Sequence, residues 1–291
     1  MSRMARHDSL LRGVEATVRR ALNEDAAFND VTTSALIEPS LRGSGGFLMK
    51  QSGILAGLPV TEAVFREVDP SVRFKALAAD GQQVKRGQII ATIEGPMAAL
   101  LGGERVALNF LQRLSGIATE TRRYVQAVRG TKAKILDTRK MAPGLRLLEK
   151  YAVRMGGGQN HRLNLSDQVL IKDNHIAALR SYGVGLTEIV RQAKQRAPRG
   201  MIIEIEVTAA DEAREAATAG ADIVLLDNMT LAEMRRAVSA VAGRCRIEAS
   251  GGMTLPRVAQ VAATGVDYIS VGALTHSAKA LDISLEIESK R

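Results

Sequence analysis

Five groups able to capture an anion, Arg139, Lys140, His161, Arg162 and Lys172, fall within one stretch, LDTRKMAPGLRLLEKYAVRMGGGQNHRLNLSDQVLIKDNH, residues 136–175. An arginine offers a planar fork that meets a carboxylate or phosphate with two donors, and a lysine offers a compact point charge. Asp137, Thr138, Arg139 and Lys140 directly follow an apolar run, so four polar groups share one strand end, where a charged tetrapeptide elsewhere would read as a solvated loop. The glycines of GGGQNHR free backbone N–H groups to approach an anion, although a merely flexible loop would look the same.

Carboxylates form a second set. In IEIEV, Glu204 and Glu206 stand two apart on an apolar strand and therefore share a face. Such groups are costly unless they are paired, bind a metal or accept hydrogen bonds from a ligand. Glu206, nearer the carboxyl end, is the expected substrate contact, and the deeper Glu204 is open to a structural role. Asp227 ends IVLLDN in the same way, and together these carboxylates suit ribose hydroxyls, directly or through Mg²⁺. A third set is backbone: EASGG and ISVGALTHS bring Ser250, Gly251, Gly252, Gly272 and Ala273 to strand ends where a helix start can cradle a phosphate. Tight packing is the competing explanation for these glycines, and His276 reads equally as a ligand contact or a satisfied loop residue. Arg105, in GERVALNFLQRLSG, lies four residues from Leu101 and three from Leu108, hence on an apolar helix face that would aim it at a second subunit.

Other chemistries lack their residues. There is no GxxxxGK[ST] loop, no GxGxxG turn after a strand, and no Ser/His/Asp or Cys/His nucleophile arrangement. The single cysteine, Cys245, excludes a disulfide framework and a structural zinc site, and fits a reducing cytoplasm. ADGQQVKRGQIIATIEG resembles the turn of a biotinyl or lipoyl carrier, but Lys50 of LMKQ precedes that turn instead of following it, so a carrier role is rejected.

The elements that must position these groups follow from apolar periodicity. The chain begins with an amphipathic helix carrying Leu10, Leu11, Val14, Val18 and Leu22 on one side, with no signal-peptide core and no membrane-spanning run. A glycine-rich strand, GSGGFLMKQSGILAG, a helix around TEAVFREV and strands around VRFKALA and QIIATIEG suggest a small α/β sandwich domain. A helical stretch from Pro96 to Arg129 is expected to break near Gly102 and Gly116. Beyond Gly130, AKILDT, QVLIK, MIIEIEV, DIVLLD, RIEAS and YISVG alternate with helices, the last four starting about 22 residues apart, which is the rhythm of βα units. The expected fold is therefore α/β: an N-terminal α/β sandwich over residues 1–115, joined by 276–291, and an incomplete α/β barrel of about six strands over 116–275. An open doubly wound sheet is the alternative architecture.

The chain has 291 residues and a net charge of +9, which leaves two classes of partner, nucleic acid or polyanionic substrates. Aromatic residues make up 3% with no tryptophan, which disfavours base-stacking platforms and argues against nucleic acid.

LDTRKMAPGLRLLEKYAVRMGGGQNHR, LSDQVLIKDNH, ERVALNFLQRLSGIAT, EIEV, LLDNM, ASGG and VGALTHS, in that order and with FNDVTT and GILAG upstream, resemble the quinolinate phosphoribosyltransferases along essentially the whole chain. The resemblance implies a reaction of quinolinate, 5-phosphoribosyl diphosphate and Mg²⁺ to nicotinate mononucleotide, diphosphate and carbon dioxide. It implies that Arg139, His161, Arg162 and Lys172, with Thr138 beside them and Arg105 reaching from the partner of a homodimer, hold quinolinate. Lys140, Glu206 and Asp227 would meet the ribose and diphosphate, and the ASGG and VGA backbones, with His276 nearby, the 5′-phosphate. Met141, Gln159 and Asn164 stand where the family usually has threonine, histidine and glycine. These departures keep one alternative in view, a related phosphoribosyltransferase associated with molybdenum transport and acting on another heterocycle; the basic charge keeps a second, a nucleic-acid-binding barrel.

Overall fold

The computed structural model describes the backbone of residues 3–290 and the side chains of residues 14–289. Along the chain, β1 (Arg42–Met49), β2 (Gly53–Ile54), β3 (Arg73–Ala76), β4 (Gln83–Val84) and β5 (Ile89–Pro96) precede the long helix Met97–Ala127. Strands β6 (Lys134–Leu136), β7 (Val169–Ile171), β8 (Ile203–Val207), β9 (Ile223–Asp227), β10 (Arg246–Ser250) and β11 (Tyr268–Ser270) follow, and β12 (Ile283–Lys290) comes last. Two compact units result. One comprises the chain up to Arg122, Met141–Gly157 and Ala278 onward; the other comprises Arg123–Lys140 and Gly158–Ser277.

In the first unit an antiparallel sheet runs in the order β12-β1-β5-β3. Alternation along β1 sends Phe47 and Met49 into the core, where Phe47 meets the rings of Phe65 and Phe74 edge-on at 6.1 and 5.9 Å. The opening helix spans Arg3–Glu24 and buries Val14, Val18 and Leu22, one turn apart; the side chains of Leu10 and Leu11 lie outside the described residues. The helix Met97–Ala127 is continuous, contrary to the breaks expected at Gly102 and Gly116. Those glycines serve close approach: a Cβ on Gly102 would lie 3.0 Å from the Ala27 carbonyl oxygen and one on Gly116 only 2.1 Å from that of Lys279.

The segment 141–157, which the sequence reading assigned to the barrel, groups with the first unit. Its helix Arg146–Met155 is tied there by polar contacts: Arg113 pairs with the fully buried Glu149, and the Tyr151 hydroxyl donates to Asp80 Oδ2 at 2.6 Å.

The second unit holds the six parallel strands in the order β6-β11-β10-β9-β8-β7, each an apolar run of three to five residues alternating with helices. Among the described strands β6 and β7 are edges, so the sheet is an incomplete barrel. Next to β6 the chain at Gln159 adds a parallel bridge to Leu136, with Gln159 N–H donating to the Ile135 carbonyl at 2.8 Å. Among the described residues no helix is long and apolar enough to cross a membrane.

Candidate active site

Register decides which side chains share the inner surface of the parallel sheet. Glu206 pairs with Leu225, Leu225 with Glu248 and Glu248 with Tyr268, while Asp227 pairs with Ser250. Paired residues and those two apart point the same way, so Glu204, Glu206, Asp227, Glu248, Ser250 and Ser270 line one face.

At the floor of this face lies a polar layer. Asp137, wholly buried at the end of β6, accepts from His161 N–H at 2.9 Å and from the Asn160 amide at 2.5 Å, which pins the NHR loop to the sheet. His161 Nε2 then stands 3.2 Å from Glu204 Oε2 and 3.6 Å from Glu248 Oε2, both carboxylates being essentially inaccessible. Gln168 donates its side-chain amide to Glu204. Burial drives the Glu248 carboxyl well above the ordinary carboxylate range, and the charge of Glu204 adds to the effect.

Cations sit over that layer. Arg162 is buried, with Nη1 3.5 Å from the Gln168 carbonyl; desolvation and the neighbouring Arg139 guanidinium lower its pKa, and Glu204 opposes them. Toward the strand ends Glu206 is half-buried. Its carboxyl is raised by burial first and by Asp227 second, with Lys172 pulling the other way. Lys172 heads the helix Asp173–Arg180, its N–H donating to His175 Nδ1 at 2.9 Å.

Lys140 adjoins the segment that follows β11. Its N–H donates to Thr138 Oγ1 at 3.1 Å, and its carbonyl accepts from Thr275 Oγ1 at 2.8 Å. A Cβ on Gly272 would fall 3.1 Å from His276 Nε2 and 3.3 Å from Lys140 Cδ, so these three adjoin. The competing packing explanation holds for Gly251: at φ +93° its added Cβ would lie 2.1 Å from Asn228 Oδ1. Gly252, at φ +57°, has more room, and Ala273 opens only a four-residue helix, Ala273–His276.

Arg105 departs from expectation. It belongs to the first unit and its side chain is 60% exposed beside Glu104 at 3.9 Å. The helix buries Gly102, Gly103, Val106, Ala107 and Phe110, so position 105, with exposed Asn109, lies on the open side and not on the apolar face. The spacing misled because Leu101 is only half-buried and Leu108, though buried, stands at the edge of the covered face. Of the family departures, Gln159 acts through its backbone, and Asn164 Oδ1 accepts from Ser166 N–H at 2.9 Å in a local turn.

Sequence reasoning missed Glu248, Gln168 and Asn160, and gave Asp137 no role. The one hint of Glu248 was a carboxylate inside the short strand RIEAS, where IEIEV carries two.

Comparison with known proteins gives a consistent picture. The family described as quinolinate phosphoribosyl transferase, N-terminal domain, matches residues 30–115, and its C-terminal domain matches residues 117–286. A probable nicotinate-nucleotide pyrophosphorylase [carboxylating] of Bacillus subtilis is 44% identical over 265 residues, 91% of this chain and 90% of that protein. A mitochondrial quinolinate phosphoribosyltransferase [decarboxylating] of Nicotiana tabacum is 40% identical over 293 residues, 95% of this chain and 83% of that protein. The crystal structure of NadC from Streptococcus pyogenes superposes with a TM-score of 0.90 at 43% identity, covering 96% of this chain and 97% of that one.

Proposed function

This chain belongs to the quinolinate phosphoribosyl transferase family, and from that premise we propose that it converts quinolinate and 5-phosphoribosyl diphosphate to nicotinate mononucleotide, diphosphate and carbon dioxide. The observation that carries the reading is the juxtaposition, on one sheet face, of a cation group at Arg139, Arg162 and Lys172 with the carboxylate pair Glu206 and Asp227. A dicarboxylate and a polyphosphate must be held side by side, and both are anions, so cations are needed for each, while the carboxylates suit the ribose hydroxyls and a divalent cation that bridges to the phosphates.

In this reading Arg139, Arg162 and Lys172, with Thr138 and His161 framing them, receive the two quinolinate carboxylates. Glu206 and Asp227 fix the ribose hydroxyls and favour positive charge developing at the anomeric carbon. Lys140 stabilises the departing diphosphate, and Ser250, Gly251, Gly252, Gly272, Ala273 and His276 surround the 5′-phosphate. The carbon–oxygen bond to diphosphate breaks as the pyridine nitrogen forms its bond to that carbon. The ribosylated, cationic ring then accepts the electron pair released when the adjacent carboxylate leaves as carbon dioxide, and a proton replaces it. No covalent enzyme intermediate is required.

Mg²⁺ fits the acidic side: Glu206 is raised by burial first and by Asp227 second, so a cation between the two carboxylates would relieve their repulsion. Glu206 and Asp227 would hold it together with the diphosphate, and it supplies neutralisation of leaving-group charge. A cytoplasmic homodimer belongs to the same proposal, with the exposed Arg105 available to complete a partner's site.

The test is release of diphosphate and carbon dioxide from purified protein given phosphoribosyl diphosphate, Mg²⁺ and either quinolinate or nicotinate. Release of both products with quinolinate alone is expected. A folded protein silent with quinolinate, or equally active on nicotinate, would refute the dicarboxylate assignment.

A further inference from the structure

His161 uses both ring nitrogens within the fold. The Arg162 backbone N–H donates to His161 Nδ1 at 2.8 Å, which requires a lone pair there and leaves the ring proton on Nε2. Nε2 in turn faces the two buried carboxyl groups, Glu204 Oε2 at 3.2 Å and Glu248 Oε2 at 3.6 Å.

We propose that His161 is a positioning residue and not a substrate ligand: with Glu204 and Glu248 it forms a buried anchor that fixes the Arg162 loop, and so the place where the Arg162 guanidinium meets a carboxylate. The contacts close a ring. Arg162 N–H reaches His161, His161 faces Glu204, Glu204 accepts from Gln168, and the Gln168 carbonyl lies 3.5 Å from Arg162 Nη1. Displacing any member moves the guanidinium, because the loop's tethers at Gln159 and Asp137 act on its main chain and on the Asn160 amide.

Glu248 completes the anchor as a neutral acid. It faces Glu204, His161 and Ser270 without a hydrogen bond of good geometry to any of them among the described residues, and both its oxygens are buried. An ionised carboxylate could not remain so placed beside Glu204. A metal ion is the competing occupant, since donor atoms of His161, Glu204 and Glu248 lie within 4.8 Å of one another. The tautomer argues against it: Nε2 carries a proton, and the Nδ1 lone pair is already engaged by Arg162.

The inference rests on the proposed reaction only for its kinetic readout, and its structural readout is independent. The chain has four histidines, His7, His161, His175 and His276, so ¹⁵N NMR of the imidazoles, with His161 assigned by His161→Gln, reads this ring directly. The neutral Nε2–H tautomer is expected without ligand and with saturating quinolinate. A doubly protonated ring, an Nδ1–H tautomer, or a tautomer change on adding quinolinate would overturn the proposal. An inactive wild type would defeat the proposed reaction and leave the unliganded spectrum to decide the anchor. For kinetics, Glu248→Ala should raise the quinolinate KM about tenfold with the phosphoribosyl diphosphate KM unmoved, and Glu248→Gln, a neutral isostere, should recover most of that loss. An unchanged quinolinate KM in Glu248→Ala, or an equal rise for both substrates, would also overturn it.

Discussion

The antiparallel sheet of the first unit and the parallel sheet of the second bury opposite chemistry. Strand β1 sends Phe47 and Met49 inward against β5 and β12 residues such as Ile93, Ile283 and Leu285. The inner face of the parallel sheet instead buries Glu204 and Glu248. Removing such groups from water costs several kcal/mol each unless partners compensate, so the second sheet spends stability that the first accumulates. Compensation for these two buried carboxylates comes from His161, Gln168 and the Arg162 charge, which gather around Glu204. The difference separates a surface built to hold the chain together from one built to hold charge still.

If that division is right, the largest effect on stability should come from the first sheet. Phe47→Ala removes a fully buried ring that touches two other aromatic residues, and should cost about 3–5 kcal/mol in urea unfolding. The quinolinate KM of the protein that remains folded should be unchanged. A KM shift comparable to the stability loss would break the comparison, since the first unit would then be shaping the cation group.

The mirror experiment is smaller. Arg139→Ala should leave stability within about 0.5 kcal/mol, because the side chain is half-exposed and adds to like-charge repulsion with Arg162. Its effect belongs to kcat/KM for quinolinate, which should fall by about 10- to 150-fold, the worth of one charge-assisted contact of about 1.5–3 kcal/mol. Steady-state kinetics with thermal unfolding on the same preparation checks both halves, and normal kinetics in a folded variant would remove Arg139 from the site.

The two sheets were not equally readable from sequence. All six parallel strands were legible because each is a short, largely apolar segment ended by a polar residue or glycine, as a strand buried on both faces should be. The cations and Glu206 were legible by residue type at strand ends. Glu248 was not, because a lone Glu in RIEAS looks like any half-polar strand, and its inward aim depends on register with Leu225 and Tyr268 in two other βα units. Gly102 and Gly116 were misread for a related reason. Their conformational cost is visible locally, but the atoms they admit, the carbonyls of Ala27 and Lys279, are remote in sequence. The side on which Arg105 lies was hidden likewise, since periodicity gives a helix its faces without saying which of them the rest of the chain covers.

The smallest effect tests whether Glu206 and Asp227 feel each other, as the acidic side of the site requires. Glu206 is raised by burial first and Asp227 second. A carboxyl whose folded pKa exceeds its unfolded one holds its proton more tightly in the native state. Its contribution therefore favours the native protein at low pH and is lost as pH climbs from the ordinary carboxylate range through the raised value. Asp227→Asn removes the second cause, so the Glu206 pKa should fall toward the ordinary range and less stability should be lost over that window. Melting temperatures from about pH 4 to pH 8, with chelator present so that no divalent cation neutralises the pair, should show a shallower decline in the variant than in the wild type. Glu248 contributes a decline of the same sign to both proteins and cancels in the difference. Parallel curves would mean the two carboxylates are electrostatically independent, and would take away the repulsion that makes Mg²⁺ fit between them.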